Sequence, residues 1–62
     1  MLDCGTGSGC LALSFLRRHQ GAEAVAIDLY LKAVRCAETN AQHLGLASRL
    51  QAVKLLLPYG AA

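Results

Sequence analysis

The sequence predicts an α/β fold, a β-α-β-α-β run forming half of a doubly wound parallel sheet. Three observations carry this. An apolar start at Met1-Leu2 passes through Asp3-Cys4 into a glycine-rich turn, Gly5-Thr6-Gly7-Ser8-Gly9. Two stretches with helical apolar spacing follow, divided by the short apolar run Ala24-Val25-Ala26-Ile27. A last apolar and polar mixture begins at Leu50. Strands that alternate with helices favour a parallel sheet, because each crossover helix returns the chain to the same end of the next strand.

Met1–Cys4 reads as the last part of a buried strand. It is shorter than the usual run of about 5–6 residues, so its beginning is expected to be missing. From Cys10 to His19, Leu11, Ala12, Phe15 and Leu16 form one apolar helical face. Arg17, Arg18 and His19 fall in the last turn, where cations suit the helix dipole, and Gly21 offers a left-handed stop. Ala24–Ile27, ending at Asp28, has the uninterrupted apolar character of a parallel strand buried on both faces. A second helix is expected over Leu31–Leu44, with Leu31, Val34, Ala37, Ala41 and Leu44 on one side and Gly45 as its C′ residue. Leu50–Leu55 reads as a third strand of mixed exposure. The tail from Leu55 to Ala62 is apolar and then trails into small residues.

Length and composition narrow the function. The chain has 62 residues, room for one small domain, and 55% of them are hydrophobic. A chain of this size buries only about 60% of its unfolded surface, so its stability is marginal. The net charge of +2 is too small to argue for nucleic acid or a membrane surface. Arg17, Arg18, Lys32, Arg35, Arg49 and Lys54 form no stripe. No apolar run approaches the ~18 residues of a membrane span, and no signal peptide is expected. Cys4, Cys10 and Cys36 fit no zinc or redox spacing and read as small buried hydrophobes. A reducing intracellular setting, cytoplasmic or mitochondrial, is the expectation.

The glycine turn points to a nucleotide-like ligand. Gly5, Gly7 and Gly9 remove the Cβ atoms from one side of the turn, so its backbone can take positive φ and approach a ligand closely. The helix that follows aims its unpaired N–H groups and positive dipole end at the same place. A phosphate-binding P-loop needs a lysine directly after its glycines, and no lysine precedes Lys32. A dinucleotide fold wants G-x-G-x-x-G and an acid about 20 residues on. Gly5, Gly7 and Asp28 supply most of this, but Cys10 stands at the third glycine. Asp3 decides between the remaining ligands. A carboxylate at the strand end repels a pyrophosphate but suits a cofactor bearing an ammonium and a sulfonium. S-Adenosylmethionine has both and no phosphate. Asp28 is then placed to accept hydrogen bonds from both ribose hydroxyls.

The run Leu2-Asp3-Cys4-Gly5-Thr6-Gly7-Ser8-Gly9-Cys10-Leu11-Ala12-Leu13, the step Ala26-Ile27-Asp28, and Glu38-Thr39-Asn40-Ala41 with Leu44-Gly45-Leu46 resemble class I S-adenosylmethionine-dependent methyltransferases. The Gly-Thr-Gly-Ser-Gly-Cys run is most similar to the peptide-chain release factor glutamine methyltransferases. The resemblance covers residues 1–54 and implies a Rossmann-like fold, with the whole chain, 1–62, as a partial methyltransferase domain carrying the cofactor half. It implies that Gly5, Thr6 and Gly7 line the methionine end of the cofactor and that Asp28 binds the ribose. Asp3 would brace the loop or meet the ammonium, and Leu29 would lie beside the adenine. Asp3, Gly5, Thr6, Gly7, Gly9, Asp28 and Leu29 are therefore the expected cofactor-binding residues. Asn40 falls on a family position that looks structural. The implied acceptor is a protein glutamine amide, as in a release factor, with no direct nucleic-acid or membrane partner.

Two departures bear on activity. The family follows its third strand with an acid for the adenine amine, whereas here the chain reads Lys54-Leu55-Leu56-Leu57. The family's Asn-Pro-Pro-Tyr, which grips the substrate amide, is not matched by Leu57-Pro58-Tyr59. No catalytic or metal-binding residue is assigned. The expectation is a truncated enzyme, inactive alone. A non-catalytic remnant that pairs through an exposed sheet edge and a nicotinamide-binding fragment stay open as alternatives. Asp28 also stays open as an N-cap for the second helix, while His19 and His43 read as solvated surface.

Overall fold

Elements follow one another as β1 (Leu2–Cys4), α1 (Cys10–Arg18), β2 (Ala24–Asp28), α2 (Leu31–His43) and β3 (Leu50–Lys54). They come from a computed structural model that describes residues 1–55. Most of the Leu55–Leu57 run and Pro58-Tyr59 lie outside the described residues. The strands form one parallel sheet in the order β1-β2-β3, with Asp3 opposite Ala26 and Ala26 opposite Ala52. This is the expected half of a doubly wound sheet.

Both crossovers step the same way across the sheet. Right-handed connections then place both helices on one face. The burial pattern follows from that. Ala24 and Ala26 point toward the helices and are fully covered, and Ala12, Leu13, Leu16, Ala41 and Leu46 close the core around Ala24. Val25 and Ile27, on the other face, are only half-buried, and their register partners Leu2 and Cys4 are exposed. The expectation that β2 is buried on both faces therefore holds for one face among the described residues.

Each helix buries a narrower stripe than its apolar residues suggest. In α1 the covered residues are Ala12, Leu13 and Leu16, while Leu11 is 65% exposed. Leu13 takes its place because it stands one turn beyond Gly9, on the side that meets α2. In α2 the stripe is Val34, Ala37 and Ala41, while Leu31, which opens the helix, and Leu44, its C-cap, are exposed.

The helix ends divide the two glycine expectations. Gly45 is the C′ residue of α2, with φ +71. Its N–H donates to the Gln42 carbonyl (3.1 Å) and the Leu46 N–H donates to that of Ala41 (2.8 Å), the paired bonds of a Schellman end. Gly21 does not stop α1, which ends at Arg18 with His19 as its cap. Its φ of +83 instead serves a tight turn in which the Ala22 N–H donates to the His19 carbonyl at 3.1 Å. The three cysteines are exposed rather than buried. Cys4 lies on the uncovered sheet face, Cys10 opens α1, and Cys36 stands outside the buried stripe of α2.

Candidate functional site

The Gly5–Gly9 turn crosses the carboxyl end of the sheet, where the ends of β1 and β2 and the start of α1 converge. Ligands of open α/β sheets bind at such a crevice. All three glycines hold left-handed backbone: φ is +72 at Gly5, +58 at Gly7 and +78 at Gly9. Other residues adopt these angles only with strain.

The turn is fixed at nearly every residue. The N–H groups of Gly5 and Thr6 both donate to the Ile27 carbonyl, at 2.8 and 3.0 Å, carrying the β1–β2 ladder into the loop. The Thr6 hydroxyl, in a buried side chain, donates to Asp3 Oδ2 at 2.9 Å. The Gly7 N–H donates to Asp28 Oδ2 at 3.0 Å. The Gly9 N–H donates to the Thr6 carbonyl at 3.0 Å. Both carboxylates singled out in the sequence therefore stand at the loop and hold it.

Asp28 does more than brace. Its second oxygen accepts the Tyr30 N–H at 3.0 Å, and Tyr30, not Asp28, is the N-cap residue of α2. The aspartate makes a local turn two residues long instead of capping the helix. The Gly7 N–H first, and the Tyr30 N–H second, hold its carboxyl below the usual 3.8. A depressed folded value means that these bonds stabilise above the unfolded value and are lost as pH falls through the lower, folded one. An NMR titration of the folded chain is expected to show the Asp28 carboxyl and the Gly7 amide moving together, with a midpoint below 3.8. Separate midpoints would break the link.

The glycines differ in what stands beside them. A Cβ added at Gly5 or Gly7 would meet nothing within 4 Å. The loop there borders open space, as a cofactor approaching the backbone requires. At Gly9 an added Cβ would come within 2.9 Å of the Ala37 Cβ. Gly9 is where α1 closes on α2, so it does the packing work that a dinucleotide loop gives to a glycine one position later, where Cys10 stands. Leu29 is partly exposed just past Asp28 and offers an apolar surface at the rim.

Sequence reading missed two contacts at this end of the fold. Asn40 of α2 donates to the Ser8 carbonyl at 2.9 Å, and Ala37 supports Gly9. Only the spacing of Ala37 and Asn40, three apart on one helix face, hints at a shared target. No group of three or more His, Cys, Asp or Glu side chains able to hold a metal occurs among the described residues. None of the helices described is long and apolar enough to cross a membrane.

The family model described as a precorrin methyltransferase domain matches residues 1–59. A release factor glutamine methyltransferase from Cereibacter sphaeroides is 45% identical over 51 residues, covering 82% of this chain and 18% of that protein. A ribosomal protein uL3 glutamine methyltransferase from Neisseria gonorrhoeae is 38% identical over 52 residues, covering 84% of this chain and 17% of that protein. Among solved structures, a SAM-dependent methyltransferase from Thiobacillus denitrificans, in complex with S-adenosyl-L-homocysteine, aligns with a TM-score of 0.78 and 31% identity. It covers 87% of this chain and 21% of that one. The chain thus spans less than a fifth of the length of these curated relatives.

Proposed function

Because the chain belongs to the class I S-adenosylmethionine-dependent methyltransferases, we propose that its Gly5–Gly9 loop seats that cofactor for methylation of a protein glutamine amide. The observation that carries this is the convergence of Asp3 and Asp28 on a loop whose positive-φ glycines Gly5 and Gly7 border open space at one sheet end. Gly5, Thr6 and Gly7 line the methionine end, and the Asp28 carboxylate faces the ribose diol. Asp28 can hold Gly7 and a diol at once, since an ionised carboxylate offers about four acceptor sites. Asp3 acts through Thr6, leaving Oδ1 to face an ammonium, and Leu29 lies against the adenine. Gly9 contributes by packing the loop onto α2.

When bound, the cofactor supplies a methyl group on an electrophilic sulfonium, and the protein's share is positioning and exclusion of water. Nothing in these 62 residues matches the Asn-Pro-Pro-Tyr that grips an acceptor amide. The glutamine acceptor, and a release factor as its carrier, rest on the likeness to the relatives. The exposed, unpaired thiols fit a reducing compartment.

Calorimetry with S-adenosylhomocysteine tests the site. The 62-residue chain is expected to bind it weakly, more tightly than NAD, and to leave a release-factor peptide unmethylated. Tighter binding of NAD would restore the nicotinamide reading, and peptide turnover by these residues alone would show that the acceptor grip lies within them. A second reading has its own support in the uncovered sheet face, where Leu2 is 63% exposed beside Cys4. No heat at millimolar cofactor, with concentration-dependent association in sedimentation, would favour a remnant that pairs through the sheet.

A further inference from the structure

Helix α2 reaches the glycine loop through two side chains one turn apart, and only one of them is packing. Ala37 backs Gly9. Asn40, half-buried, donates Nδ2–H to the Ser8 carbonyl at 2.9 Å, across 32 residues of sequence. The same nitrogen lies 3.8 Å from Cys36 Sγ, one helical turn back. The amide is thereby oriented: turned over, it would set an oxygen against the Ser8 carbonyl, acceptor to acceptor. No backbone donor reaches that carbonyl among the described residues. Ser8 lies between Gly7, tied to Asp28, and Gly9, packed on Ala37.

We propose that Asn40 is a positioning residue for the cofactor, fixing the Ser8–Gly9 peptide so that the Gly5–Gly7 backbone stays open toward the ligand. Glycines at 5, 7 and 9 make the loop cheap to deform, since each has a wide choice of φ and ψ. Asp3 and Asp28 hold its first half. Asn40 holds the second half through a single directed bond, from the helix whose Ala37 backs Gly9. The inference rests on the reading of the loop as the cofactor site.

The test is an amide NMR titration of the chain with S-adenosylhomocysteine, on the wild type and on Asn40→Asp, Asn40→Ala and Asn40→Gln. Asn40→Asp is isosteric but replaces the donor with an acceptor facing the carbonyl. It and Asn40→Ala are expected to weaken binding about tenfold, the scale of one directed hydrogen bond. Asn40→Gln, which keeps the amide, is expected to recover most of the affinity. A purely structural asparagine would lower the unfolding midpoint in all three variants and leave the affinity of the folded fraction unchanged, which overturns the proposal. Wild-type protein supplies the second readout, should a variant not fold. The Asn40 side-chain amide resonances are expected to shift on saturation, and unmoved resonances overturn the proposal. A wild type that shows no binding removes the site itself, whereas binding that is indifferent to residue 40 removes only the role of Asn40.

Discussion

Gly9→Ala is expected to unfold most of the chain, while Gly7→Ala leaves it folded and unable to hold its ligand. Both glycines have positive φ, +58 at Gly7 and +78 at Gly9, so each alanine carries a left-handed penalty of about 1–2 kcal/mol. They differ in their surroundings. The new methyl at Gly9 would sit 2.9 Å from the Ala37 Cβ and 3.3 Å from its Cα. A methyl on a helix backbone cannot rotate aside, so α2 must move, and crowding of this kind costs about 1–3 kcal/mol more. A core this small rarely supplies above about 3–5 kcal/mol, so the two penalties together remove most of it. At Gly7 the methyl enters open space and adds no crowding. It occupies the volume proposed for the cofactor, so affinity is lost with the fold intact. Circular dichroism in urea reads the first effect and calorimetry with S-adenosylhomocysteine the second. Ala37→Gly combined with Gly9→Ala should recover the crowding share and leave the backbone share, a coupling that a double-mutant cycle isolates. Equal urea midpoints for Gly7→Ala and Gly9→Ala would mean that the α1–α2 contact contributes little.

These two glycines also mark the division between what the residues disclosed and what only the fold could. Local chemistry was readable. The turn glycines and the C′ glycine at 45 take the left-handed backbone that their type and setting predict, and Asp3 meets Thr6 only three residues on. The order of strands and helices follows from the same punctuation. The rest depends on which parts of the chain meet. Periodicity marked Leu11 as a buried residue of α1, yet the helix turns Leu13 inward because α2 approaches from that side. The apolar run of β2 suggested cover on both faces, but two crossovers of one hand put both helices on one. Asp28 stands where its spacing from the glycines predicted, and it has a further role that spacing did not disclose. Its carboxylate holds Gly7 across the strand gap, and the helix cap passes to Tyr30. Asn40 reads as a structural family position and Arg49 as one of several scattered cations, but what each one holds is not legible, because their partners are carbonyls, which every residue has and no sequence pattern advertises.

Arg49→Ala is expected to cost about 2–3 kcal/mol, the largest loss from any single charged residue among those described. Its guanidinium gathers three carbonyls at the end of α1 and in the turn that follows. Nε–H donates to the Ala22 carbonyl at 2.9 Å, and Nη2 donates to those of Leu16 at 2.9 Å and His19 at 2.6 Å. The last carbonyls of a helix lack partners within it and carry the negative end of its dipole. A cation supplied by the residue just before β3 therefore satisfies α1 and ties its end to the approach to an edge strand of the sheet. Its own backbone holds the same corner, since the Arg49 carbonyl accepts the Ala24 N–H at 2.9 Å. That second bond survives mutation, so the loss reports the side chain. Lysine should restore little, because one ammonium cannot reach three carbonyls with the spread of a planar fork. Arg49→Lys is accordingly expected to lose more than half of what alanine loses in urea unfolding. The opposite end of the sheet carries the glycine loop, so Arg49→Ala should lower the unfolding midpoint without changing the cofactor affinity of the folded fraction. A midpoint within about 0.5 kcal/mol of wild type would place Arg49 among ordinary exposed side chains.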